Sequence, residues 1–165
     1  MDKLTPEQLE FAREQIESYG MVCLYNLERD TVIGPKPPYM CTAGLGHKDW
    51  PEIFVSGKMM PEGLETMIRR LVERWNTLGT PQVGFIKNLF KRNDDSFHHA
   101  QVRYIDPNIL VNDYMPHIGD LVPGAQERRA VQLFWPDMKG RFPLDEEFTV
   151  MPSYYQEVLP AATNF

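Results

Sequence analysis

The chain is short of the residues that make chemistry easy to read. It holds two cysteines, Cys23 and Cys41, in 165 residues. That excludes a disulfide scaffold and any four-cysteine zinc fold. Each lies in an apolar, strand-like segment, the usual setting of a buried reduced thiol. A bridge between neighbouring strands would need an oxidising compartment, and nothing in the sequence points to one. No apolar run approaches the roughly 20 residues that span a bilayer. The N-terminus is acidic and lacks an apolar signal core, so a cytoplasmic protein without a membrane partner is expected. Basic charge is also scarce, with 17 Lys and Arg against 23 Asp and Glu and a net charge of −6. The basic pairs Arg69-Arg70, Lys91-Arg92 and Arg128-Arg129 are short and read as solvated surface. Duplex nucleic acid is therefore not an expected partner.

Histidines number four. His98 and His99 are adjacent, so on a strand they point to opposite faces. His47 and His117 sit in separate loops, and no HExxH or CxxC spacing occurs. A zinc site would have to gather His47, one of His98 or His99, and His117 from distant segments, so no metal and no cofactor is expected. No GxSxG elbow is present. Gly44-x-Gly46 follows a strand but lacks the helix that a phosphate cradle requires.

What remains has the composition of a folded domain, 42% hydrophobic and 24% charged, and its length suits a single core. Residues 1–150 are expected to form one domain and 151–165 an aromatic tail. A first helix is well punctuated. Thr5 and Gln8 make a capping box, Pro6 takes the first helical position, and Gly20 supplies the stop. Leu9, Ala12, Ile16 and Tyr19 give it an apolar stripe. Met21–Leu27 reads as a strand and Glu28–Pro38, rich in proline, as a loop. Tyr39–Leu45 and Glu52–Ser56 are further strands of the same sheet. Pro61 opens a second helix with Leu64, Met67, Ile68, Leu71, Trp75 and Leu78 on one face, ended by Gly79. Val83–Leu89 and His99–Ile105 pair around the turn Arg92–Asp95. Asp106–Asp120 reads as irregular, and Ala130–Trp135 as the last strand. The fold class is therefore α+β, a mainly antiparallel sheet of five to seven strands carrying two principal amphipathic helices.

Among many carboxylates, Asp137 stands out, because it follows a buried-looking strand and Trp135-Pro136 and precedes Arg141 across a Gly140 turn. An Asp137–Arg141 pair holding that turn is one reading. The other makes Trp135 an aromatic floor and Arg141 a charged fork for a carboxylate or phosphate.

Three blocks carry a family resemblance: Tyr39-Met40-Cys41-Thr42-Ala43-Gly44-Leu45; Gly46-His47 with Pro51-Glu52-Ile53; and Val131 to Pro143, with its Gln-Leu-x-Trp-Pro-Asp and Gly-Arg-Phe-Pro runs. In this order they resemble the bacterial and phage domain-of-unknown-function family 4262. The resemblance implies a compact α+β domain in a bacterial or phage cytosol and no established activity.

Two functions are compatible with these residues. The first is a non-catalytic binding or interaction module, with Tyr39, Thr42, His47, Trp135, Asp137 and Arg141 contacting a small anionic, nucleotide-like ligand or a host protein. The second is a small hydrolase or nucleotide-processing enzyme, with His47 as base, Glu52 or Asp137 orienting it, and Arg141 stabilising negative charge. The aromatic tail residues Tyr154, Tyr155 and Phe165 suit either a homo-oligomer or a tail wrapped on its own domain.

Overall fold

The computed structural model describes residues 4–32, 34–91, 97–124, 129–146, 148 and 156–163. The Arg92–Asp95 turn, Arg128, Tyr154, Tyr155 and Phe165 lie outside the described residues.

Helix α1 spans Pro6–Tyr19 and carries the expected cap. Thr5 Oγ1 accepts from the Gln8 amide at 3.2 Å, and Gln8 Oε1 accepts from the Thr5 amide at 2.8 Å. Gly20, at φ 84°, ends it in the left-handed conformation that glycine adopts without steric cost. Its buried stripe is narrower than the periodicity predicts. Ala12 is buried, but Tyr19, on the last turn, is 73% exposed.

Strands β1 (Val22–Asn26), β4 (Tyr39–Ala43) and β5 (Glu52–Ser56) follow. The predicted loop between the first two contains a separate two-stranded hairpin, β2 (Arg29–Thr31) and β3 (Gly34–Lys36). Proline density concealed it, since Pro35 sits inside a strand that belongs to no larger sheet. Helix α2 (Pro61–Leu78) buries Leu64, Met67, Ile68, Leu71, Val72 and Trp75 and stops at Gly79, φ 76°. Leu78 is half exposed on its last turn. Strands β6 (Gly84–Lys91), β7 (Phe97–Ile105) and β8 (Ala130–Phe134) complete one six-stranded sheet, ordered β1-β4-β5-β8-β7-β6. Neighbours are antiparallel except β5 and β8, which run parallel. The segment expected to be irregular is partly helical: α3 (Pro107–Ile109) runs into a π-helical turn at Leu110–Tyr114, and α4 covers Ile118–Leu121. Such short pieces leave no periodicity for a sequence reading to detect.

The sheet is covered on both faces, which explains why β4, β5 and β8 are buried at every position. One core packs α2 against Met40, Ile53, Val55, Val131 and Leu133. The other joins Ala12 of α1 and Ile118 and Leu121 of α4 to Tyr39, Cys41, Phe54 and Ile105. The two expected helices thus lie on opposite faces. Six apolar side chains of α2, at about 1.5–3 kcal/mol each, contribute the order of 10 kcal/mol of gross burial.

The cysteines lie on adjacent strands, Cys23 opposite Thr42 and Cys41 opposite Leu24. They face different cores, so no bridge forms, and both are free. Burial pushes the Cys23 thiol up to about 12 and Cys41 well above its ordinary value, leaving both as unreactive thiols.

Residues 156–163 lie against the second core. Leu159 is buried there, its amide donates to Gln132 Oε1 at 2.9 Å, and Ala161 bridges Ile105. Glu157 accepts from the Tyr114 hydroxyl and pairs with Lys36 Nζ at 2.7 Å.

Candidate functional site

The β4–β5 connection is built from residues of the first two motif blocks. Gly44 sits at φ 121°, and a Cβ there would lie 2.6 Å from the Gly20 carbonyl oxygen and 2.9 Å from Met21 Cα. Only glycine fits. The chain then makes one 3-10 turn, Leu45–Lys48, and Asp49 takes a left-handed conformation at φ 62°. Glu52, 4% exposed, closes the turn from below. Its Oε1 accepts from the amides of Gly44 and Gly46, both at 2.9 Å, and its Oε2 accepts from the Thr42 hydroxyl at 2.6 Å. Thr42 Oγ1 in turn accepts from the Ile53 amide at 2.9 Å. Burial pushes the Glu52 carboxyl above its ordinary range, partly opposed by these hydrogen bonds and by the field of His47. The amides of Gly44 and Gly46, which a phosphate cradle would offer to a ligand, are spent on this carboxylate. His47 itself is exposed and lines a cleft of about 380 Å³ with Arg13, Glu17, Lys48 and Leu121.

The Trp135–Phe142 corner is built with equal economy. Trp135 is 4% exposed and packs in the α2 core, and its indole N–H donates to the Ser56 carbonyl at 3.0 Å. Its backbone is held on both sides by Gln156, which accepts from the Trp135 amide at 3.2 Å and donates to its carbonyl at 2.7 Å. Asp137 Oδ1 accepts from the amides of Lys139 at 2.8 Å and Arg141 at 2.9 Å, while Oδ2 takes the Arg141 Nε at 3.2 Å. Backbone bonds from Asp137 to Arg141 and from Gly140 to Asp137 complete the turn. The Asp137–Arg141 pair therefore holds the corner together.

These residues do not converge. Glu52 opposes Ala130 in the parallel β5–β8 pair, whereas Trp135 follows β8's last residue, Phe134. At about 3.3 Å per residue, His47 and Glu52 lie at one end of the sheet and Trp135, Asp137 and Arg141 roughly 15 Å away at the other. Tyr39 is on the second core, stacked on Phe54 at 5.4 Å and donating to the Tyr114 carbonyl at 2.8 Å. His99 Nδ1 accepts from the Asn88 amide at 3.0 Å, and His117 Nδ1 lies 3.6 Å from Asp120. Among the described residues no three His, Cys, Asp or Glu side chains are gathered as a metal site would need.

A family model for a domain of unknown function, DUF4262, matches residues 15–149. The chain belongs to this family. Neither a curated protein nor a solved structure matches it. The family's description assigns no activity, and the geometry above gives the three motif blocks structural work: Thr42, Gly44, Gly46 and Glu52 fix one turn, and Trp135, Asp137 and Arg141 fix one corner.

A different cleft is the better candidate in this family member. It has a volume of about 490 Å³ and opens between α2 and the end of the β6–β7 hairpin. Met59, Met67, Phe90, Trp135 and Pro136 supply apolar lining, and Arg70, Lys91 and His98 supply nitrogen groups of cationic or hydrogen-bonding character. Of the motif residues, only Trp135 and Pro136 reach it. Sequence reasoning overlooked Arg70 by assigning it to the solvated face of α2, where it does pair with Glu73 at 3.4 Å. The available signal was Thr66, Met67 and Arg70, spaced to share one side of the helix.

Proposed function

We propose that this protein is a non-catalytic binding module for a small anionic ligand with an apolar or aromatic body. The observation that carries this reading is the composition of the α2–hairpin cleft, apolar over much of its lining, with the cations Arg70 and Lys91 against the single carboxylate Glu62, in an otherwise acidic chain. That combination is typical of small-molecule sites, where apolar area gives affinity and a few polar groups fix orientation. A cation at the rim of an apolar pocket favours a carboxylate or phosphate. The enzyme reading has less support, since His47 stands apart from Arg141, and Glu52 and Asp137 are committed to neighbouring amides. In a bacterial or phage cytoplasm, such a module would sense or sequester its ligand.

The test is calorimetric titration of the wild type with adenosine monophosphate and with dodecyl phosphate, beside T66W and R70E. Thr66 and Arg70 are exposed positions of α2, so both variants are expected to fold. Binding of either probe tighter than about 1 mM, lost in T66W and weakened in R70E, is the expected outcome. No binding of either probe, or binding indifferent to both substitutions, removes the reading.

A further inference from the structure

The candidate cleft does not end at Arg70. A second cleft of about 330 Å³ continues along the same helix, and Arg70 and Lys91 line both. On α2 the lining residues form one stripe at helical spacing: Gly63, Thr66, Met67 and Arg70 in the first cleft, then Arg70, Glu73, Arg74 and Thr77 in the second. At 1.5 Å per residue this stripe is about 21 Å long. The opposite wall is β6, with Phe90 and Lys91 facing the first cleft and Asn88, Leu89 and Lys91 the second.

The far wall is shaped by a bulge. The β6–β7 register shifts between Ile86 and Phe90, and Asn88 adopts φ 56° with its amide donating to His99 Nδ1. The bulge presents the carbonyls of Lys87 and Asn88 to the Arg74 guanidinium, each at 3.4 Å. These long contacts hold the partly buried Arg74 beside the groove. Cations are thus placed in sequence along one channel, Arg70 and Lys91 at its middle and Arg74 beyond, with Glu73 as the acidic group on that stretch.

We propose that this groove takes a nucleoside diphosphate, an inference that rests on the binding reading above. The base occupies the apolar end, the first phosphate meets Arg70 and Lys91, and the second reaches Arg74. A heterocycle suits the apolar end better than an alkyl chain, because Glu62, Thr66 and His98 place hydrogen-bonding groups beside Met67 and Phe90. Successive cations one helical turn apart, about 6 Å along the axis, favour a ligand with more than one phosphate.

The experiment is calorimetric titration with the mono- and diphosphates of the four ribonucleosides, with farnesyl diphosphate and dodecyl phosphate as apolar counterparts. Wild type and R74A are compared at low and high salt. The expected result is that at least one diphosphate binds about tenfold tighter than its monophosphate, an advantage erased in R74A and reduced by salt. Arg74 is partly buried and bonds the Lys87 and Asn88 carbonyls, so an unchanged melting temperature for R74A is required to establish that its fold is intact. Equal affinity for mono- and diphosphate, or a diphosphate advantage that survives R74A, overturns the proposal while leaving the binding module standing. Binding confined to farnesyl diphosphate or dodecyl phosphate overturns the nucleoside assignment in the same way. Absence of binding by every probe overturns both readings.

Discussion

Replacing Glu52 offers the sharpest test of the physical account of the β4–β5 turn. In Glu52→Ala, the amides of Gly44 and Gly46 and the hydroxyl of Thr42 lose their acceptor in a place water does not reach. A buried polar group stripped of its partner costs about 1–3 kcal/mol. Thr42 is the least affected, because its hydroxyl rotates and its oxygen still accepts from the Ile53 amide. Two orphaned amides set the main loss, and release of the desolvated carboxylate returns part of it. A net destabilisation of about 2–5 kcal/mol is expected. Glu52→Gln should behave differently. Its amide oxygen retains both glycine donors and no buried charge remains, while its Nε2 can only donate to Thr42 Oγ1, whose hydroxyl proton must turn away. Its cost should be about 1–2 kcal/mol, below that of Glu52→Ala.

The pH dependence fixes the sign. Burial raises the folded-state pKa of Glu52 above its unfolded value, so the folded chain binds the proton more tightly. The group's contribution is therefore most favourable below the unfolded pKa and declines as pH rises through the folded pKa. Glu52→Gln lacks this group. Urea unfolding from about pH 4 to about pH 8 should show wild-type stability falling relative to Glu52→Gln as pH increases. A relative rise would mean that the three hydrogen bonds outweigh burial and hold the pKa down. That result would refute the reasoning, as would an Ala variant no less stable than the Gln variant.

The same reading extends to other positions. A Cβ at Gly57 would lie 2.5 Å from Trp135 Cζ2, so Gly57→Ala should displace the indole from the Ser56 carbonyl. A loss of about 1–3 kcal/mol by urea unfolding and altered tryptophan fluorescence are expected. Asp137→Ala should cost about 2–4 kcal/mol by the same measurement, and Asp137→Asn less, since Oδ1 still serves the amides of Lys139 and Arg141. His47 is exposed, so His47→Ala should move stability by no more than about 0.5 kcal/mol. Calorimetric titration should find ligand affinity unchanged in that variant, because His47 lines a different cleft.

The larger elements were legible because their signals are local. The Thr5–Gln8 box, Pro6 and Gly20 define α1 without reference to anything distant. The stripe Leu64–Met67–Ile68–Leu71–Trp75 defines α2 in the same way. The hairpin Arg29–Lys36 and the helical pieces between Pro107 and Leu121 escaped, since runs of three to five residues are shorter than a period that can be counted. The parallel pairing of β5 with β8 was equally hidden. It joins Glu52 to Ala130 across nearly half of the chain, and no local pattern encodes a partner so remote.

The candidate site was least legible for a related reason. Motif residues draw attention because they are polar or aromatic in apolar company, and both chemistry and folding use such residues. Here one oxygen of Glu52 takes the amides of Gly44 and Gly46 and the other the Thr42 hydroxyl, and one oxygen of Asp137 takes the amides of Lys139 and Arg141 and the other the Arg141 side chain. A carboxylate buried and held by fixed donors of its own fold is sequestered from an incoming ligand, yet it is indispensable to its turn. In this chain these motif residues hold two turns in place. Ligand specificity would instead reside in groups such as Arg70, Arg74 and Lys91, which contribute little to the core and whose grouping exists only once α2 and β6 are packed side by side. Substitutions there should alter what is bound at small cost in stability, whereas truncation of the buried motif carboxylates Glu52 and Asp137 should destabilise the fold itself.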